Sequence, residues 1–316
     1  MPMLVLLLGS MLARADGYPA KPLKLIVPFA PGGGADAVAR IVANRVSETI
    51  GQPIVIENRG GAGSIIGTEA VRRAAPDGYT LLFGVSGPIS INPSLYKKLP
   101  YNPEKDFAPI TMTTTYPYFL MVNAKLPVKS LKDFVATVKA KPGEFNYGSP
   151  GIGSANHLVA ELFASKAGLK LVHILCRGTA PAVTDLLAGH VTMLFADPSS
   201  ALPHIQAGTL RALGVTSSQR SSVAPSAPTI AESGYPGFEA TSWHGVLARA
   251  GTPPAVIAKL HDQIVAALRE PETRNFLQAQ AMTPVGNTPE EFSVFIKGDI
   301  ALWKDVAAHA NISLND

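Results

Sequence analysis

The hydrophobic and polar positions in the first third of the chain alternate between two periods, which predicts strands that alternate with helices. Residues 23–27 (LKLIV) and 53–58 (PIVIEN) are short apolar runs typical of buried strands. Between them, residues 36–50 carry apolar side chains at helical spacing and stop at a glycine. A second helix over 65–75 and a third strand over 80–85 follow. This βαβαβ order predicts parallel strands with helices covering the sheet.

Two long β-type stretches without helical spacing interrupt this alternation. They cover residues 106–124 and 238–251, and strands alternate with helices again between them. We interpret both stretches as crossings between domains, so that residues 18–110 and 243–316 form a discontinuous domain 1 and residues 111–242 form domain 2. The prediction is an α/β fold of two hinged domains, with a cleft at the carboxyl ends of both sets of strands.

Polar residues before three of the helices predict where those helices begin. Ser130 precedes a helical stretch and is followed by Asp133 three residues later, which resembles a capping box. Thr252 and Thr288 are each followed by a proline, the usual pairing of an N-cap with a first helical residue.

The first fifteen residues differ in character from the rest. Residues 3–12 (MLVLLLGSML) are apolar but too short to span a bilayer, and the small residues Ala13 and Ala15 follow them. This pattern predicts a signal peptide over residues 1–15 and a periplasmic location. No Lys or Arg precedes the apolar run, so an ordinary apolar tail is the alternative. We expect no membrane insertion once the signal peptide is removed.

Composition excludes several classes of function. The 316 residues are 47% hydrophobic, enough for about two domains, and carry a net charge of +4. Lys and Arg are scattered, which is typical of a solvated surface and not of a nucleic-acid footprint. The single cysteine, Cys176, has no partner for a disulfide or a metal site. We expect a monomer that uses no cofactor and no metal.

Two glycine-rich loops, residues 27–36 (VPFAPGGGAD) and 147–158 (YGSPGIGSANHL), each join a strand to a helix. Glycines allow the backbone to approach a ligand, and a helix N-terminus presents free N–H groups with a partial positive charge. Phe29 offers the first loop an apolar wall, and Ser149 and Ser154 offer the second loop hydroxyls. The pattern predicts an anion-binding cleft, with tight turns that hold no ligand as the alternative.

Several polar residues near these loops have two interpretations. Asp36 is most simply the N-cap of the helix after the first loop. His157 either reaches a ligand or packs inside the protein. Asp197 either binds a ligand amino or hydroxyl group or caps the next helix. The candidates at strand ends, where a cleft is expected, are Ser86, Gly87, Arg177 and Asp197.

Nucleotide-binding and catalytic motifs fail at specific positions. In residues 59–67 (RGGAGSIIG) the third glycine, Gly67, is one residue too far for a dinucleotide fingerprint, and no lysine completes a P-loop. We interpret this loop as a structural turn. No Ser/His/Asp or metalloprotease pattern appears, so we predict no catalytic residue and no enzyme. A hydrolase using Ser86 or Ser149 is the rival, and it requires a histidine within reach of the serine.

Six long stretches share a family pattern: residues 18–36, 55–84, 91–111, 147–158, 178–191 and 245–264. Taken together, they resemble the Bug family, extracytoplasmic solute receptors related to the binding proteins of tripartite tricarboxylate transporters. The resemblance implies a two-domain periplasmic-binding-protein fold of type II with the ligand in the interdomain cleft. It implies a small carboxylate ligand: a dicarboxylate, a tricarboxylate, an aromatic acid or an acidic amino acid. It also implies membrane transporter subunits as partners; a signalling role with a membrane sensor is the alternative.

The resemblance and the loop pattern together give one set of expected ligand-binding residues. The family typically holds a carboxylate with the two loops described above. The chain departs from the family pattern at Gly87-Pro88-Ile89 and at Leu175-Cys176, and we expect both stretches to line the cleft. The expected ligand-binding residues are Phe29, Ala30, Pro31, Gly32, Gly33, Ser86, Gly87, Ser149, Gly151, Gly153, Ser154, His157, Arg177 and Asp197.

Overall fold

A computed structural model describes residues 17–29, 31–176, 178–310 and 312–314. The expected signal peptide over 1–15 and the expected ligand-binding residues Ala30 and Arg177 lie outside the described residues. The strands are β1 (Leu23–Val27), β2 (Ile54–Asn58), β3 (Thr80–Val85), β4 (Phe107–Pro117), β5 (Phe119–Asn123), β6 (Asn146–Ser149), β7 (Val172–Leu175), β8 (Met193–Ala196), β9 (Leu210–Val215), β10 (Thr241–Arg249) and β11 (Thr283–Pro284). The helices are α1 (Gly34–Ile50), α2 (Ile65–Arg72), α3 (Asn92–Leu95), α4 (Pro103–Asp106), α5 (Leu131–Ala140), α6 (Ala155–Ala167), α7 (Thr179–Ala188), α8 (Pro198–Gln206), α9 (Pro254–Arg269), α10 (Pro271–Ala279) and α11 (Pro289–His309), with a π-helical turn over Gly87–Ile91.

The strands form two mixed sheets. The first has six strands in the order β11-β4-β10-β3-β1-β2, and the second has five in the order β7-β6-β8-β5-β9. The parallel pairing predicted for the first three strands is confirmed, since β1 pairs parallel with both β2 and β3. In the second sheet β6 pairs parallel with β7 and β8. The α/β class is thus confirmed, with antiparallel strands added to each sheet by β4, β5, β9, β10 and β11.

Amphipathic helices cover the sheets and form the cores. Val38, Val42 and Val46 on one face of α1 are buried in the same core as Phe83 of β3. Helix α1 ends at Gly51 in the left-handed conformation, where a glycine is favoured. Helix α11 contributes to cores on both sheets: its N-terminal half packs near β10, and its C-terminal half joins the core of the second sheet.

The chain passes between the sheets twice, at the two β-type stretches. Strand β4 of the first sheet is followed directly by β5 of the second, and β9 leads to β10 back in the first. The buried Thr216 joins these passages: its hydroxyl accepts from Tyr118 N at 2.8 Å and donates to Ala240 O at 2.6 Å. The predicted boundaries at 110/111 and 242/243 fall inside β4 and β10, and the division into domains stays a prediction.

Two of the three predicted helix starts are confirmed. Ser130 accepts from Asp133 N at 3.1 Å, and Thr288 forms a full capping box at the start of α11. The prediction for Thr252 is wrong, because Pro253 takes the N-cap position and the helix begins at Pro254. A residue before proline is held in extended backbone, which keeps Pro253 out of the helix. Among the residues with described structure, none of the helices is long and apolar enough to cross a membrane.

Candidate functional site

A cavity of about 680 Å³ lies between elements of the two sheets. This volume is within the range of small-molecule sites. Strand ends and helix N-termini form its walls, as expected for an α/β cleft. The expected ligand-binding residues that line it are Phe29, Gly33, Ser86, Gly87, Gly151, Gly153, Ser154 and Asp197.

Five helices direct their N-terminal ends to this cavity. The first turns, or the residues just before them, supply Gly33 to Ala35 for α1, Ser64 for α2, Ser154 to Asn156 for α6, Thr179 and Ala180 for α7, and Pro198 to Ser200 for α8. Each helix N-terminus carries a partial positive charge of about half an elementary charge. Helices α1, α2 and α7 have no side-chain cap. In α2 the N–H of Ile65 donates to Ala62 O, whereas the starts of α1 and α7 leave first-turn N–H groups for another acceptor.

Formal charge in the lining is sparse. The described lining residues include no Lys or Arg, and their only carboxylate is that of Asp197. Asp197 caps α8: its Oδ1 accepts from Ser200 N at 3.1 Å and from the Ser199 hydroxyl. Both interpretations of Asp197 therefore stay open, since it is a cap that also faces the cavity. From the described lining, an anion in this cavity would meet helix termini and hydroxyls and no cationic side chain.

The two passages between the sheets form part of the cavity wall, which the sequence analysis missed. Tyr116 and Tyr118 from the first passage and Ser242 and His244 from the second line the cavity. Alternate residues of a strand face the same side, and the register pairs Tyr116 with Ser242. The Ser242 hydroxyl also lies 2.6 Å from that of Ser86. The spacing of two residues, between 116 and 118 and between 242 and 244, was the signal in the sequence that each pair shares a face.

His244 is fixed in the wall as a neutral ring. Its Nδ1 lies 2.9 Å from the Thr114 hydroxyl, and the ring packs beside those of Phe83 and Tyr116. Burial lowers the pKa of His244 to about 3. At neutral pH this side chain therefore offers hydrogen bonding without charge.

The first loop contributes less side-chain surface than expected. Phe29 lines the cavity, whereas Pro31 and Gly32 lie outside its lining. Gly32 has left-handed backbone, with φ +89°, and its N–H donates to Asp36 Oδ2 inside the loop. Of the expected binding residues described in this loop, Phe29 and Gly33 line the cavity, and Gly33 is the N-cap of α1.

Asp36 has a structural role, but the N-cap prediction is wrong. Gly33 is the N-cap of α1, and Asp36 lies in the first turn. The Asp36 carboxylate reaches back to accept from Gly32 N, Asn58 Nδ2 and Arg40 Nε, each at 2.9 Å. Burial alone raises its pKa, but the hydrogen bonds from Arg40, Gly32 and Asn58 outweigh burial and lower it. The ionised carboxylate thus ties the loop to β2.

Ser149 and His157 lie behind the second loop and not in the cavity lining, which corrects the expectation for both. The Ser149 side chain is buried and lies 2.7 Å from His173 Nε2. His157 is also buried, and its Nδ1 accepts from Gly153 N at 3.0 Å. The packing interpretation of His157 therefore fits the structure. Both residues contact the loop from the protein side.

The Ser149–His173 pair satisfies the distance that the hydrolase alternative requires, but its location does not suit catalysis. Ser149 is 1% exposed, and neither residue lines the cavity. Ser86 lines the cavity, and the hydrogen-bond partner described for its hydroxyl is Ser242. Among the described lining residues, the hydroxyl of Ser86 bonds to that of Ser242 and the ring of His244 bonds to Thr114, so neither hydrogen bond joins a serine to a histidine.

The two departures from the family pattern lie in different surroundings. Gly87 and Pro88, at the start of the π-helical turn, line the cavity. The expectation for Leu175 and Cys176 is wrong: Leu175 is 58% exposed, while Cys176 is buried with its thiol 3.5 Å from Asp185 Oδ2. Strand β7 lies at the edge of its sheet, and neither Leu175 nor Cys176 is among the residues that line the cavity.

The loop before α2 is a turn that also forms cavity wall. Gly63 and Ser64 line the cavity, and Ser64 has φ +70°. Gly67 has a packing reason: a Cβ there would lie 2.5 Å from Arg59 O. Packing therefore explains the glycine at position 67 without a role in nucleotide binding.

A second cavity of about 660 Å³ lies on the other face of the passages. Thr115, Pro117 and Thr241 line it, and these residues alternate with those that line the first cavity. Arg220 also lines it but is paired with Glu232 at 2.9 Å. The uncapped N-termini of α1, α2 and α7 line the first cavity and do not line the second.

The geometry agrees with similarities to known proteins. A family described as tripartite tricarboxylate transporter family receptor matches residues 38–312. Protein BugT of Bordetella pertussis is 41% identical over 301 residues, which cover 95% of this chain and 92% of BugT. The structure of Rpa4515 of R. palustris with adipate has a TM-score of 0.85 at 34% identity, covering 94% of this chain and 99% of that one. MatC from Rhodopseudomonas palustris with bound malate has a TM-score of 0.80 at 32% identity, covering 92% and 99%.

Proposed function

The chain belongs to the tripartite tricarboxylate transporter family of receptors, and we propose that it is a periplasmic receptor that binds a small carboxylate in the 680 Å³ cavity. The family and the related structures are solute-binding proteins. We propose the same non-enzymatic role here, with delivery of the bound acid to membrane transporter subunits.

The observation that carries the proposal is the convergence of helix N-termini on a cavity whose described lining has no cationic side chain. Partial charges at helix N-termini and free N–H groups favour an anion. A carboxylate has two oxygens that accept several hydrogen bonds at once. A neutral solute accepts weaker hydrogen bonds from these N–H groups than a carboxylate does, and the positive ends of the helices repel a cationic solute, so both should bind more weakly.

The arrangement of the termini favours an acid with carboxylates at both ends. Helices α1 and α2 approach from the first sheet, and α6, α7 and α8 from the second. A dicarboxylate places one anionic group near each set. The adipate and malate in the two related structures are both dicarboxylates.

Hydrogen bonds of this kind are strong enough for micromolar binding. A charge-assisted hydrogen bond contributes about 1.5–3 kcal/mol, and micromolar affinity corresponds to about 8 kcal/mol. At the upper end of this range, four such bonds sum to about 12 kcal/mol, which leaves about 8 kcal/mol after an association cost of about 4 kcal/mol. We further propose that binding closes the two sheets around the passages of β4 and β10, which excludes water from the ligand.

The test is a thermal-shift and calorimetric panel on ligand-stripped protein that lacks residues 1–15. The panel contains adipate, malate, citrate, benzoate and glutamate, with the diamide of adipate as an uncharged control of equal length. We expect at least one acid to bind with micromolar Kd and raise the Tm, and the diamide to bind at least tenfold more weakly than adipate. Failure of every acid, or equal binding of adipate and its diamide, would contradict the proposal.

A further inference from the structure

Three aromatic rings are stacked behind the loop of residues 149–154. The rings of His157 and His173 have centroids 4.1 Å apart and planes 16° from parallel, and Tyr147 stacks on His173 at 4.9 Å. None of the three residues lines the cavity. The stack therefore contacts the loop from the protein side, opposite the ligand.

Each histidine uses one ring nitrogen to hold a glycine of the loop. Gly153 N donates to His157 Nδ1 at 3.0 Å. His173 Nε2 lies 2.7 Å from the Ser149 hydroxyl, and that oxygen lies 3.3 Å from Gly151 N and 3.1 Å from Gly151 O. Gly151 and Gly153 both line the cavity. Two ring nitrogens thus connect, directly or through one serine, to the backbone that faces the ligand.

This loop needs external support because of its composition. Gly153 has φ +77°, a conformation that suits glycine, and glycines lose much conformational freedom when they become ordered. A loop that is ordered before binding avoids that loss at the moment of binding, which increases affinity. The hydrogen bonds from the stack fix the loop while leaving its cavity side free.

The histidines are neutral, as this role requires. Nδ1 of His157 accepts a hydrogen bond only when it carries no proton. Burial, with a smaller effect of His173, lowers the pKa of His157 to about 4, and burial also lowers that of His173. The carboxylate that faces the stack is Glu161, 3.9 Å from His157 Nε2 and hydrogen-bonded by the Tyr147 hydroxyl. The acceptor for Gly153 is thus available at neutral pH.

We propose that His157 and His173 are positioning residues, which hold the backbone of loop 149–154 in its binding conformation without touching the ligand. The proposal rests on the proposed function for the nature of the ligand. The order of the loop itself does not depend on which ligand binds.

The first test is hydrogen–deuterium exchange at pH 7.5 without added ligand. His157→Phe keeps a ring in the stack but removes the acceptor, and His157→Asn places an amide oxygen close to the position of Nδ1. We expect amides of residues 151–154 to exchange about tenfold faster or more in His157→Phe, and within threefold of wild type in His157→Asn. Exchange in α9 serves as the internal control. Unchanged exchange of the loop in His157→Phe would overturn the proposal.

The second test measures affinity with adipate as the probe. We expect about tenfold weaker binding by His157→Phe, and recovery to within threefold of wild type by His157→Asn. Faster exchange with unchanged affinity would overturn the role in binding. If wild type does not bind adipate, the acid with the largest thermal shift replaces it as the probe. If no acid of the panel binds, that result counts against the proposed function, and the exchange test still decides on loop order. Ser149→Ala, which removes the link from His173 to Gly151, provides a second variant if His157→Phe does not fold.

Discussion

A proline at the first position of α1 tests whether a backbone N–H group there binds the ligand. Gly34 is the first residue of the helix and lines the cavity. Proline is well tolerated at this position, because the N–H it removes has no partner within the helix. The N-cap Gly33 has φ −84° and ψ 171°, the extended backbone that a residue before proline adopts.

The expected magnitude comes from one lost hydrogen bond. Gly34→Pro removes a single donor, and a charge-assisted hydrogen bond contributes about 1.5–3 kcal/mol. This predicts about 10- to 100-fold weaker binding of the acid. Gly34→Ala is the matched control: a Cβ at this position would approach only Met282 Cε, at 3.6 Å, and the N–H is kept.

The assay is calorimetric titration of both variants with adipate, alongside urea unfolding to confirm that each is folded. We expect Gly34→Ala to stay within about threefold of wild type, while Gly34→Pro shows the loss. If both variants bind adipate equally well, the N-terminus of α1 does not hold the carboxylate, and the reasoning fails.

Three further predictions concern the opposite wall, acid stability and the passages. Thr179→Pro at the uncapped start of α7 should also weaken adipate binding about 10-fold or more, with Thr179→Ala near wild type; equal Kd values would exclude α7 from the site. His244 stays neutral down to a pKa of about 3 in the folded protein but takes up a proton near 6.5 when unfolded, so the free energy of unfolding should fall by about 4 kcal/mol more between pH 6.5 and 3 in wild type than in His244→Asn; urea unfolding with parallel pH profiles would refute this. Thr216→Val leaves Tyr118 N and Ala240 O without their partner and should cost about 2–4 kcal/mol in urea unfolding, against about 1 kcal/mol or less for Thr216→Ser; similar losses in both variants would show that the hydroxyl contributes little.

The glycine-rich loops were predictable because their signals are local. Glycines, a preceding apolar run and a following helical period identify the presence of α1 and the start of α6 from the sequence alone, while the predicted N-cap of α1 is three residues too late. The lining by Gly33, Gly153 and Ser154 follows from that local geometry. The strand order was accessible in part, because the βαβαβ pattern implies the parallel pairs of β1.

Other features depend on tertiary packing that a single sequence does not specify. The period of two shows that Tyr116 and Tyr118 share a face, but not that this face meets the cavity. Ser149 and His157 are adjacent in sequence to the lining residues, yet their side chains point into the protein, where a ring from β7 supplies a partner. A residue's position beside a loop predicts that it lies near the site, but it does not predict the direction in which the side chain points.

The most direct test of the account is an NMR titration of deuterated, ¹⁵N-labelled protein with the acid that gives the largest thermal shift. The central claim is that uncapped helix N-termini hold the carboxylates without a cationic side chain from the described lining. We predict that the amide protons of Gly34, Ala35 and Thr179 move downfield at saturation and stay in place when the matching amide compound is added. Unmoved signals from these three amides in the saturated complex would contradict the account.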